Sequence, residues 1–267
     1  MFNGILYWYI FVIVALIAWY VVKRHYLRNR KRLPVLLYRS VTDTGNNTNE
    51  TTIDITRLEA HFNYLLSEGY CPVFLNELIK YVHFGKELPP NPVLITFDGG
   101  YRNNYTLMYP LLKSYGMKAN IFLVPSLVQD ENEQPVEGDN EYLRQRDINA
   151  IDPLLVEFGF QSYDNKNFND LSIDEINVDI AKSLDLLQSM NIPFQSCIAF
   201  SQGAFPSLNP VKRQRLLNAL AKNKIALAFQ NGNRLNELPL QNHLLIQRLP
   251  VSGTISLEKF AKLLRKG

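Results

Sequence analysis

PVLITFDGGYRNNYTLMYPLLKSYGMKANIFLV, residues 92–124, decides the fold. Its first six residues, Pro92–Phe97, are a β-rich apolar run. Tyr105–Tyr115 then reads as a helix that stops at Gly116, and Ala119–Val124 as a second strand. Strand, helix and strand joined by short connections predict a parallel pair, because parallel strands need a crossover between them. Upstream, Pro34–Tyr38 (PVLLY) is another short apolar run. Ile55–Glu68 carries Leu58, Phe62, Leu65 and Leu66 at helical spacing before Gly69. Pro72–Leu75 reads as strand and Leu78–Phe84 as helix. Downstream, helices are expected at Asp174–Met190, Val211–Asn223 and Leu257–Leu264, and strands at Ser196–Phe200, Ile225–Phe229 and Leu244–Leu249. Thr42–Thr52 and Gln129–Asn140 read as polar loops. The alternation has no linker, so one barrel-like or doubly wound α/β domain is the economical architecture. Chemistry in such folds sits at the C-terminal strand ends, which nominates Asp98, Gln161 with Asn165, and Ser201 to Phe205.

The rest of the 267 residues divides unevenly in charge. Met1–Val22 contains no Asp, Glu, Lys, Arg or His, and about 20 apolar residues match a hydrocarbon core of roughly 30 Å. Residues 1–22 are therefore expected to be a transmembrane anchor, with Tyr7, Trp8 and Tyr9 near one boundary and Trp19 and Tyr20 near the other. A cleaved signal peptide would have a basic start and a shorter apolar run. Residues 23–33 form a basic juxtamembrane segment with Lys23, Arg24, Arg28, Arg30, Lys31 and Arg32. Positive flanks favour the cytoplasmic side, so residues 34–267 are expected there as one soluble domain beside the membrane. Setting those six bases aside from the 28 Lys and Arg leaves 22, against 25 Asp and Glu. No nucleic-acid footprint remains. Cys71 and Cys197 are too few for a disulfide framework or a CxxC metal site.

LITFDGGY at 94–101 resembles the first motif, TFDDGY, of the NodB-like polysaccharide deacetylases. The resemblance continues through PVLLYRS, LSEGYCPVFLNELI, LSIDEINVDIAKSLDLLQSMNI and IAFSQGAFP to LIQRLPV, ending at Val251. Within that superfamily the branch acting on poly-N-acetylglucosamine looks nearest. The resemblance implies a distorted (β/α) barrel and hydrolysis of an acetamido group on a sugar. It implies Asp98 as catalytic base and Gln202 as the backbone N–H position of an oxyanion hole. Its divalent metal, a zinc-class ion, would lower the pKa of a bound water to about 7. Here the three positions that should ligate that ion are Gly99, Gln161 and Asn165, and the His expected after Tyr38 is Arg39. Glycine has no side chain and neutral amides are poor zinc ligands. No cofactor is therefore expected. The leading reading is a membrane-anchored pseudoenzyme that binds a glycan, a lipid-linked sugar or a glycan-synthesis partner protein. The alternative is an active de-N-acetylase that uses Asp98 with an atypical metal, or with none. Arg39, Tyr101, Phe200 and Phe205 are the candidate sugar-binding residues. Arg39 and Arg248 suit either an acid in the cleft or an anionic sugar phosphate.

Overall fold

The computed structural model describes residues 31–45, 48–129, 141–206 and 208–266. The expected anchor at 1–22 and most of the basic segment lie outside the described residues, as does most of the acidic loop before residue 141. Among the described residues no helix is long and apolar enough to cross a membrane. The elements in chain order are β1 (Arg32–Leu33), β2 (Val35–Tyr38), β3 (Ser40–Thr42), β4 (Thr52–Asp54), α1 (Ile55–Ser67), β5 (Cys71–Pro72), α2 (Leu75–Phe84) and β6 (Pro92–Gly99). They continue with α3 (Tyr109–Tyr115), β7 (Ala119–Leu123), α4 (Gln145–Ala150), β8 (Val156–Phe160), α5 (Ile173–Ser189) and β9 (Cys197–Ala199). The last are α6 (Pro210–Lys222), β10 (Leu227–Asn231), β11 (Asn236–Glu237), β12 (Ile246–Pro250) and α7 (Leu257–Lys266).

Strand pairing decides between the two architectures left open by the sequence. Seven parallel strands run in the order β2, β12, β10, β9, β8, β7, β6, and β6 pairs back onto β2, so the sheet closes into a barrel. Alternation along each strand then separates two apolar cores. On β6, Val93, Ile95 and Phe97 join the large cluster that packs the helices against the barrel, with Leu58, Phe62, Ile176 and Leu216. Leu94 faces the other way, into a smaller cluster with Val35, Phe122, Leu227, Phe229 and Ile246. Asp98 is in step with Leu94, and Arg248 with Ile246, so both belong to the barrel lumen. Gly159 makes room for this filling, since a Cβ there would lie 2.6 Å from the Phe122 ring.

Helix ends follow local chemistry. Ser172 Oγ accepts from Glu175 N while the Glu175 carboxylate accepts from Ser172 N, a reciprocal cap that starts α5. Three readings shift. The strand expected at Pro72–Leu75 is only Cys71–Pro72, because Asn120 on β7 accepts from Leu75 N and Glu77 accepts from Phe74 N, which starts α2 early. The helix of the deciding stretch opens with a π-helical turn at Asn104–Met108. The polar stretch after Tyr38 contains the paired strands β3 and β4.

His61 on α1 is fully buried. Its Nδ1 lies 3.1 Å from Tyr38 Oη and its ring stacks on Phe260 at 3.8 Å. Burial, and then the charge of Arg57, push its imidazole down to about 4. An unfolded His protonates near its ordinary value of about 6.5. As pH falls from there towards 4 the unfolded chain takes up a proton that the folded one refuses, and stability drops. The His61 share of this should be a loss on the order of 2 kcal/mol between pH 7 and 4.5. It is read in urea denaturation as the difference between the wild type and His61→Gln, since buried Asp179, raised to about 6, shifts stability the opposite way in both.

Candidate functional site

Asp98 lies at the C-terminal end of β6, and Arg248 lies on β12. β2 separates the two strands. Arg248 Nη1 donates to Asp98 Oδ1 at 2.5 Å, and their side chains are 0% and 3% exposed. Arg248 Nη2 reaches Asn231 Oδ1 at 3.3 Å, and Asn231 is its register partner on β10. The guanidinium carbon lies 5.6 Å from the centre of the Phe122 ring, on its face. Gln161, just past β8, sends Nε2 to the other Asp98 oxygen at 3.4 Å. Both carboxylate oxygens are thus engaged. A substrate proton would meet a carboxylate whose two oxygens already accept hydrogen bonds from protein groups.

The residues at the expected metal positions do not fit an ion. Gly99 has φ +100°, and a Cβ there would lie 2.7 Å from the Tyr101 ring, so the backbone is shaped for the absence of a side chain. Gln161 is spent on Asp98. Asn165 is exposed in a turn with φ +58°. Among the described residues no group of three or more His, Cys, Asp or Glu could hold a metal ion.

A polar cleft of about 660 Å³ is built by the segments that follow β2 and β6, with Arg39, Thr42, Asp43, Tyr101, Asn103 and Glu141 in its lining; Asp98 and Arg248 are not among the lining residues. Arg39 is half-buried there, and Tyr101 stacks on Tyr142 at 5.3 Å. Two other candidates fall elsewhere. Phe200 is 1% exposed and packs on Phe168 and Phe205, so its ring belongs to the core and not to the cleft. Phe205 packs on Phe200 and is likewise not among the cleft-lining residues. Gln202 is exposed with φ +56°, in a short 3₁₀ turn after β9. The following Gly203 has φ +67° and abuts Asn231, the residue that receives Arg248.

A wall of the cleft went unread in the sequence. Arg102 Nη1 donates to both Glu141 oxygens at 2.7 Å, and Arg144 Nη2 adds a third bond at 2.9 Å. Burial opposes ionisation of Glu141, but the bonds from Arg102 and Arg144 outweigh it and hold the carboxyl below its usual range. The backbone joins in, with Arg102 N on Glu141 O and Leu143 N on Gly100 O. Nothing in the spacing of Arg102 and Glu141 announces this contact. On the far side Asp179 of α5 accepts from Tyr163 N and so fixes the loop after Gln161. Its burial raises its carboxyl to about 6.

The polysaccharide deacetylase family model matches residues 85–208, a span that contains Asp98, Gln161 and Gln202. Over that span the chain is similar to the polysaccharide deacetylases. YxkH of Bacillus subtilis (strain 168), which carries the same family name, is 27% identical over 174 residues, covering 65% of this chain and 58% of that protein. The poly-beta-1,6-N-acetyl-D-glucosamine N-deacetylase of Escherichia coli (strain K12) is 30% identical over 78 residues, 29% of this chain and 12% of that one. The chain thus spans little more than half the length of the first of these relatives and a small part of the second. Among solved structures, the Streptococcus pyogenes deacetylase PplD superposes with a TM-score of 0.72 at 17% identity, covering 88% of this chain and 99% of PplD. That likeness speaks for the barrel fold and for nothing finer.

Removing one partner of a buried pair leaves an uncompensated charge, which costs about 3–5 kcal/mol. Arg248→Met should therefore destabilise the barrel by about that amount in urea denaturation. Adding Asp98→Asn should recover most of the loss, since the orphaned charge is then gone.

Proposed function

We propose that this chain, similar to the polysaccharide deacetylases, binds a glycan at the barrel mouth and does not carry out metal-dependent deacetylation. The observation that carries the reading is the Asp98–Arg248 pair, a fixed cation against the carboxylate that the family resemblance makes the base. The shape of Gly99 and the exposure of Asn165 support it, because together with Gln161 they leave no ligand set for an ion. The polar cleft supports the binding half, being large enough for sugar rings and lined by hydroxyl, amide and aromatic groups. The family likeness supports carbohydrate as the ligand class. Hydrolysis with Asp98 as base is the opposing reading, and it requires that carboxylate to leave Arg248.

Purified full-length protein incubated with N-acetylglucosamine oligomers should release no acetate above background, with or without added zinc, while binding glycan saturably. Acetate release that disappears in Asp98→Ala would overturn the non-catalytic reading.

The uncharged Met1–Val22 and the six bases after it support attachment to a membrane with the barrel on the cytoplasmic side, next to lipid-linked sugar or a glycan-synthesis partner. A C-terminal reporter that is active only in the cytoplasm should be active. Activity of an export-dependent reporter in its place would reverse the orientation.

A further inference from the structure

The glycan reading leaves open what distinguishes the ligand, and the two arginines of the mouth bear on that. Arg248 is spent, fully buried and bonded to Asp98 and Asn231. Arg39 stands in a different position. It follows β2 directly, and because Tyr38 pairs in register with Phe97, Arg39 sits level with Asp98 on the neighbouring strand. In that position Asp98 would be its natural partner, but Arg248 has taken the carboxylate. Among the described residues the Arg39 guanidinium has no hydrogen-bond or ion-pair partner, and it lines the cleft. The other charges of the cleft are mostly cancelled, since Arg102 and Glu141 neutralise each other at 2.7 Å. Among the described residues, Asp43 is the other acid of the lining. The neighbouring amide is already committed, with Asn103 Oδ1 accepting from Val41 N and Nδ2 donating to Ser40 Oγ. The mouth therefore offers a ligand one unsatisfied planar fork of N–H donors.

We infer that the cleft selects a glycan bearing an anionic group, a phosphate or a carboxylate, and that Arg39 is the residue that recognises it. This rests on the glycan-binding reading above and goes one step further, to the class of ligand. The chemistry follows from the fork, which meets two oxygens of a phosphate or carboxylate at once, a match that an ammonium cannot give. Sugar hydroxyls would lie against Thr42, Thr51 and Thr106 and a ring face against Tyr101, all in the same lining. Asp43 works against the anion and narrows the choice to ligands that keep their charge near Arg39.

The test is a titration of the full-length chain in detergent with four probes: a neutral N-acetylglucosamine oligomer, N-acetylglucosamine 1-phosphate, an oligosaccharide containing glucuronic acid, and inorganic phosphate. At least one acidic sugar should bind about tenfold or more tighter than the neutral oligomer, and which one identifies the anion. Arg39→Ala should abolish that preference, Arg39→Lys should retain only part of it, and Asp43→Asn should strengthen acidic binding. Thermal melting of each variant keeps a folding defect separate from a binding defect. Equal binding of neutral and acidic sugars, unchanged in Arg39→Ala, would overturn the inference while leaving the glycan reading intact. Inorganic phosphate binding as tightly as the sugar phosphate would overturn it too, because the sugar would then contribute nothing. Failure of every sugar to bind would sink the glycan reading itself.

Discussion

The organising constraint of this barrel is that a carboxylate sealed in its lumen must have a cation within bonding distance. Asp98 is 2% exposed and closes one end of an apolar lumen, so an unpaired negative charge there would cost several kcal/mol. A bound metal ion is one way to meet that demand. Here Arg248 meets it, entering from β12 and held by Asn231 and the Phe122 face. The neighbouring features are arranged around that choice. Gln161 turns inward to the second Asp98 oxygen, Gly203 gives Asn231 its space, and Gly99 leaves the Tyr101 ring unobstructed.

The pair is not an argument for high stability. Desolvating two charges costs about as much as their attraction returns, so a hydrophobic filling of the same volume would serve the fold as well or better. The Arg248 Nε, buried with no hydrogen-bond partner, adds to that cost. What the pair does is fix the electrostatics of the mouth. Asp98 contributes no free negative charge to the cleft, and among the described residues Arg39 is the unpaired cation of its lining. The structure sets one guanidinium inside against Asp98 and, among the described residues, leaves another in the cleft.

Much of this was legible in the sequence. PVLITF and ANIFLV are near-continuous apolar runs, interrupted only by Thr96 and Asn120, because parallel barrel strands are buried on both faces, and the helix between them is marked by Gly116. The motif fixed Asp98 at a strand end and made the missing ligands at Gly99, Gln161 and Asn165 conspicuous. Other features could not be read. β3 and β4 are short strands in a polar stretch with no alternation to announce them. Phe200 looked like a sugar-stacking ring because only its place in a motif was visible, whereas its burial depends on Phe168, a residue 32 positions away in sequence whose ring centre lies 6.2 Å from its own. The Arg248–Asp98 contact joins residues 150 positions apart. Closure of the barrel brings β12 within reach of Asp98 across β2, which no local pattern encodes.

The most direct measurement is a crystal structure of the protein soaked in zinc, with diffraction collected at the zinc absorption edge. The account predicts no anomalous peak beside Asp98 and an intact bond from Arg248 to its carboxylate. A zinc ion about 2.0–2.2 Å from an Asp98 oxygen, with Arg248 swung away, would contradict it.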